Sequence, residues 1–231
     1  MSKILGIVGG MGPLATSILY KKIIYFTDAK IDQEHLNILI NNNAAIPDRT
    51  EYILGKGESP LKSLIETSQN LEKAGADYLI MPCNTAHYFY DQIVSEINIP
   101  FLNMIEETAE YVISNWKIDK VGLLATKGTY ISKVYDDIFE RYNIEIVKPN
   151  QENTEKIMKF IYNIKAGRED IELDSFYNAK LELEEKGVDV FILGCTELST
   201  AYDLFDIKGQ FVDPLEIIAK KAIAFGGKKI K

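Results

Sequence analysis

With 231 residues, 46% of them hydrophobic, the chain can bury one large core or two smaller ones. Its 34 acidic and 26 basic side chains leave a net charge of −8 and no basic stripe, which argues against a nucleic-acid partner and requires any acidic ligand to find a local group of Arg or Lys. No apolar run approaches the roughly 20 residues of a membrane-spanning helix. Two histidines (His35, His87) and two cysteines (Cys83, Cys195), with no Cys-x-x-Cys or His-x-x-x-His spacing, give a transition metal little to bind.

From Met1 the chain enters a strand without a charged leader and apolar core, so a cytoplasmic protein with free thiols is expected. Residues 4–8 form that strand, followed by Gly9-Gly10-Met11-Gly12-Pro13 and a helix over about 14–27, Pro13 suiting a first helical position. Within this loop Gly10-x-Gly12-x-x-Ala15 matches a dinucleotide fingerprint, which asks for an acidic residue about 20 positions on, at the end of the second strand. That strand, 37–40, runs instead into Asn41-Asn42-Asn43, so a tight turn with its backbone close to a crevice is preferred to a nucleotide site. Residues 44–60 contain Ile46-Pro47-Asp48-Arg49 and are long for a connection, as lids and binding loops are. A helix over 61–74 carries Leu61, Leu64, Ile65 and Leu71 and is stopped by Gly75. A buried strand at 78–81, a helix around 88–97 and a short strand near 99–102 follow. The second half reads as a strand at 120–125, the loop Thr126-Lys127-Gly128-Thr129, a helix over 131–142, a strand at 145–147, helices through 164 and over 173–186, a strand at 190–193 and a last helix. The basic end, 226–231, reads as a solvated tail.

The pattern occurs twice. Gly75, Asp77 and Cys83 recur 112 positions later as Gly187, Asp189 and Cys195, and Gly6 and Gly12 recur 116 positions later as Gly122 and Gly128. The expectation is an α/β fold of two similar parallel-sheet lobes related by a pseudo-twofold: residues 1–115, residues 116–210, and a segment 211–231 packing back on the first lobe.

Each cysteine follows an apolar run and precedes a helix start, Pro82-Cys83-Asn84-Thr85 in one copy and Gly194-Cys195-Thr196-Glu197 in the other. Ligands of open α/β sheets bind outside the carboxyl ends of the strands, so the two thiols are expected to face one crevice from opposite sides. At a helix N-terminus a thiol pKa is expected to fall from about 8.5 toward neutrality. One such group removing a proton from a stereocentre while its twin returns a proton to the opposite face is racemisation or epimerisation. The same two-lobed outline also fits a non-catalytic small-ligand binding protein, against which a thiol at each strand end counts.

Gly9-Gly10-Met11-Gly12-Pro13-Leu14-Ala15-Thr16, Pro82-Cys83-Asn84-Thr85-Ala86-His87 and Gly194-Cys195-Thr196-Glu197, in that order and spacing across essentially the whole chain, resemble the aspartate/glutamate racemase superfamily. Its aspartate racemase branch is the most similar. The resemblance implies two α/β lobes with the active site between them, no pyridoxal phosphate and no metal, and a homodimer. It implies Cys83 and Cys195 as the acid/base pair acting on a small amino diacid, Asn84, Thr85 and Ala86 as substrate contacts, and Arg49 and Lys165 as holders of its carboxylates. Met11, Thr126, Thr196 and Glu197 complete the substrate-binding candidates. Glutamate racemases usually carry His where Glu197 stands, which favours aspartate; glutamate or both acids, and related isomerase or decarboxylase chemistry on this fold, are the alternatives. His87 reads as a packing residue, and Lys165, near Lys156 and Lys159, also fits a solvated helix face.

Overall fold

The computed structural model describes residues 3–168, 171–205 and 207–231. The first lobe comprises β1 (Ile4–Gly9), α1 (Pro13–Phe26), β2 (Asn37–Asn42), α2 (Arg49–Ile53), α3 (Leu61–Lys73), β3 (Tyr78–Ile80), a short 3-10 turn (Thr85–Phe89) and α4 (Tyr90–Val94), leading into α5 (Met104–Asn115). The second comprises β4 (Lys120–Ala125), α6 (Lys127–Ser132), α7 (Asp136–Glu140), β5 (Glu145–Val147), α8 (Gln151–Lys165), α9 (Asp174–Glu185), β6 (Phe191–Gly194), α10 (Thr196–Phe205) and β7 (Phe211–Val212), followed by α11 (Pro214–Phe225).

The sheet orders β2-β1-β3 and β5-β4-β6-β7, parallel throughout, make β1 the counterpart of β4 and β3 that of β6. The inner strands β1, β3, β4 and β6 read as near-continuous apolar runs because both faces are covered. Leu5, Ile7, Tyr78 and Ile80 face α1 and α11, while Val8, Leu79 and Met81 face α3 and the 3-10 turn. In the second lobe Leu124, Phe191 and Leu193 pack on α8, α9 and α10, while Val121, Leu123 and Ile192 pack on α7 and α5. The helices exchange: α5 lends Ile105, Ala109 and Val112 to the second sheet, and α11 lends Leu215, Ile218 and Ile223 to the first. The repeated glycines end α3 and α9 in the same way, Gly75 (φ 97) and Gly187 (φ 77) adopting the left-handed conformation that closes a helix.

Four expected elements differ. The run 88–97 is a 3-10 turn and a five-residue helix, so Cys83 does not precede a long helix. Residues 99–102 make one bridge, Phe101 to Leu79, because Pro100 has no N–H for a ladder. The helix over 131–142 breaks into α6 and α7 at Lys133, which is left-handed (φ 56). The long loop 44–60 contains α2, capped by Asp48, whose side chain accepts from the Glu51 N–H.

Candidate active site

Cys83 lies three residues beyond the end of β3, and Cys195 follows β6 directly. Both are free and buried, and both line one small cavity at the carboxyl ends of the two sheets. Around them stand Met11, Asp48, Arg49, Thr50, Asn84 and Thr85 from the first lobe and Thr126, Lys165, Thr196 and Glu197 from the second. A larger groove of about 550 Å³ between α5 and α11 contains neither cysteine.

Charges of opposite sign flank the two thiols. On the Cys195 side, the thiol donates to Glu197 Oε2 at 2.9 Å, and Thr196 Oγ1 donates to the same oxygen at 3.3 Å. The Cys195 pKa is pushed well above the ordinary thiol value, by burial first and then by the Glu197 carboxylate, against the opposing pull of Lys165. The expected fall toward neutrality is therefore corrected for Cys195: α10 does begin at Thr196, but desolvation and an adjacent carboxylate outweigh a helix terminus.

On the Cys83 side stands the Arg49 guanidinium, 7% exposed. Its Nη1 donates to the carbonyls of Pro47 (3.0 Å) and Ile46 (3.4 Å), its Nη2 to that of Met11 (3.4 Å), and its Nε is buried without a partner. Burial lowers the Arg49 pKa, yet the negative potential of Cys83, Asp48 and Glu197 more than offsets it, so the cation persists.

Lys165 ends α8, and its side chain, 26% exposed, reaches inward until Nζ is 4.0 Å from Glu197 Oε1. Desolvation opposes its charge, and the attraction of Glu197 and Cys195 exceeds that cost, leaving its pKa raised. A lysine that reads as part of a solvated face thus belongs to the cavity wall.

Asn84 makes no cap bond; its Oδ1 accepts from Tyr135 and its Nδ2 is buried without a partner. Ala86 is absent from the cavity wall: it is fully buried in the first-lobe core, so the expected substrate contact is not met by its side chain. Met11, 2% exposed, does line the cavity. Behind Met11, Thr16 closes the glycine turn, accepting from the Gly10 N–H and donating to the Gly12 carbonyl, both at 3.0 Å. With those groups satisfied and β2 ending in Asn42, the turn is a wall against the second lobe, where a Cβ at Gly12 would meet Glu197 Oε1 at 3.5 Å. His87 is a structural residue: Nδ1–H donates to the Cys83 carbonyl at 2.8 Å, and Nε2 accepts from the Met104 N–H at 3.1 Å.

Asp48 and Thr50 escaped the sequence reading. Asp48 with Glu51 three positions on is a helix-start signature that could have placed α2, and with it Thr50, beside Arg49. Thr50 belongs to a hydroxyl cluster that crosses the lobes: Thr85 lies 3.1 Å from Thr126 and 2.9 Å from Thr129, and Thr50 Oγ1 reaches Thr126 Oγ1 at 3.5 Å.

The family model for Asp/Glu/hydantoin racemases matches residues 8–222. The chain belongs to this family. The solved Picrophilus torridus aspartate racemase shares 34% identity with this racemase-family chain, covering 99% of it and 96% of its own length, with a TM-score of 0.84. An aspartate racemase homologue from Pyrococcus horikoshii is 29% identical over 98% of this chain and all of its own, with a TM-score of 0.76. The broad-specificity amino-acid racemase RacX of Bacillus subtilis is 26% identical over 226 residues, 95% of this chain and 96% of its own.

Proposed function

We propose that this member of the racemase family interconverts L- and D-aspartate by two-base proton transfer between Cys83 and Cys195, without pyridoxal phosphate or metal. The observation that carries the reading is the pairing of two thiols, one from the same place in each sheet, across a cavity whose cations are Arg49 and Lys165. The two cations suit the two carboxylates of the substrate, and Asp48 and Glu197 offer negative charge to its ammonium group.

The proton inventory gives each thiol a direction. With the proton on Cys195, as its contact with Glu197 favours, a Cys83 thiolate beside Arg49 takes the α-proton of the D-acid and the Cys195 S–H delivers its own to the opposite face. The L-acid requires the reverse distribution, which a D-to-L turnover leaves behind: Cys83 holds the proton it has taken, Cys195 is the thiolate and abstracts the α-proton of the L-acid, and the Cys83 S–H donates. The carbanion between the two steps has its charge spread onto the α-carboxylate, where the Arg49 fork and the free Asn84 amide N–H groups can meet it.

The cavity has room for about one water, so the lobes must part to admit an amino diacid and close on it. Closing excludes water, which strengthens each charge contact. The 34% identical aspartate racemase supports aspartate over glutamate. Broad specificity, for which the Bacillus subtilis relative is named, is the second reading.

Purified protein in heavy water with L-aspartate or L-glutamate, followed by proton NMR and circular dichroism, tests the proposal. Loss of ellipticity together with α-deuteration of aspartate, faster than of glutamate, is expected. An aspartate sample that keeps its α-proton overturns it.

A further inference from the structure

Asn84 stands next to Cys83 in sequence and lines the cavity, yet the polarity of its amide is set from the other lobe. Tyr135, the residue before α7, is completely buried, with its ring tilted against Phe139 at a centroid distance of 6.0 Å and packed in the core on the α5 side of the second sheet. Its hydroxyl donates to Asn84 Oδ1 at 2.6 Å, and among the described residues this is the one acceptor recorded for that proton. An amide has two ends of similar shape and opposite polarity. Reversed, it would face the phenol with an N–H donor, leave the phenolic proton without its acceptor and present a carbonyl lone pair to the cavity.

We propose that Tyr135 is a positioning residue for the reaction: by holding Asn84 Oδ1 it keeps the Asn84 N–H donors turned toward the substrate carboxylate and the charge that develops on it. The unpartnered, buried Nδ2 is the sign of a donor held for a ligand, since a buried amide without a partner is otherwise costly. Burial, together with the nearby Asp213 and Cys195, drives the Tyr135 pKa well above the phenolic value, so the hydroxyl stays a donor throughout the working pH range. Because Tyr135 belongs to the second lobe and Asn84 to the first, the bond also requires the lobes to be together. The donor is thus fully oriented in the closed form, where the chemistry occurs.

This inference rests on the proposed racemase activity, and its test is a double-mutant cycle with Tyr135→Phe, Asn84→Ala and the pair, each measured for racemisation of aspartate and, by calorimetry, for aspartate binding. Tyr135→Phe is expected to lower kcat/KM about tenfold or more in the native background and to have less than a twofold effect once Asn84 is Ala, because the orientation of an absent amide cannot matter. A packing role would instead give the same loss in both backgrounds, and that result overturns the proposal, as does native-like activity of Tyr135→Phe. If the unaltered protein binds aspartate without racemising it, the activity is wrong and the binding cycle decides on Tyr135 by the same criterion. If it does neither, the functional reading falls and this inference falls with it.

Discussion

Gly128, at the start of α6, marks a close approach of the second lobe to the first. A Cβ there would lie 2.7 Å from Thr50 Oγ1, 2.9 Å from Thr50 Cα and 3.0 Å from Thr85 Cγ2. The hydroxyl can rotate away, but a backbone carbon cannot, so Gly128→Ala must push α6 and α2 apart and stretch the threonine hydroxyl cluster that joins the lobes. One excess methyl in a close-packed contact costs about 1–3 kcal/mol. At about 1.4 kcal/mol per factor of ten, the closed form loses about 5- to 150-fold in population relative to an open one. If closure assembles the site, kcat/KM for aspartate falls by that factor, while both sheets, which lie away from the contact, keep their packing. The assay is racemisation rate against substrate concentration, with the thermal midpoint measured alongside to establish that the variant is folded. A folded Gly128→Ala protein with kcat/KM within twofold of the native value would refute the assignment of this contact to closure.

Cys83→Ala and Cys195→Ala are each expected to lose about 10²- to 10⁴-fold in racemisation rate, the span of a general acid or base, and full activity in either would sink the two-base mechanism. Arg49→Lys keeps the charge and removes the fork; KM for aspartate should rise about tenfold or more, and an unchanged KM would place the substrate carboxylate elsewhere. His87, whose burial depresses its pKa from 6.5 to about 4, stays neutral in the folded protein at pH values where the unfolded chain takes up a proton. Its contribution is fully present above pH 6.5 and is lost as pH falls toward 4, which amounts to about 3 kcal/mol. His87→Gln should flatten the pH dependence of unfolding free energy between pH 6.5 and 4; an unchanged slope in denaturant titrations would show that another group controls acid unfolding.

The lobes and the cysteines were legible because the features that carry them are short in sequence. Apolar runs of four to six residues, glycines in the left-handed position after α3 and α9, and a constant offset between the halves are all recorded within a few neighbouring residues. The misread elements failed where long-range contacts or backbone chemistry overrode pattern. Pro100 denied a strand its ladder, a left-handed Lys133 broke a helix, and α2 was hidden inside a polar loop although Asp48 and Glu51 announced its start.

By itself the sequence determined the fold class and the matched placement of Cys83 and Cys195, which follow from repeated local pattern, and three short motifs carried the resemblance to the family. Tertiary structure alone decided the protonation chemistry and the cavity wall. Whether a thiol next to a helix start is acidic depends on what lies beside it after folding, and Glu197 and burial reverse the expectation for Cys195. Whether Lys165 is solvated depends on Glu197, 4.0 Å away but 32 positions along the chain. The orientation of Asn84 depends on a phenol 51 residues distant. Desolvation and partnership are properties of the neighbours in space, and the second lobe supplies them only when the chain has closed on itself.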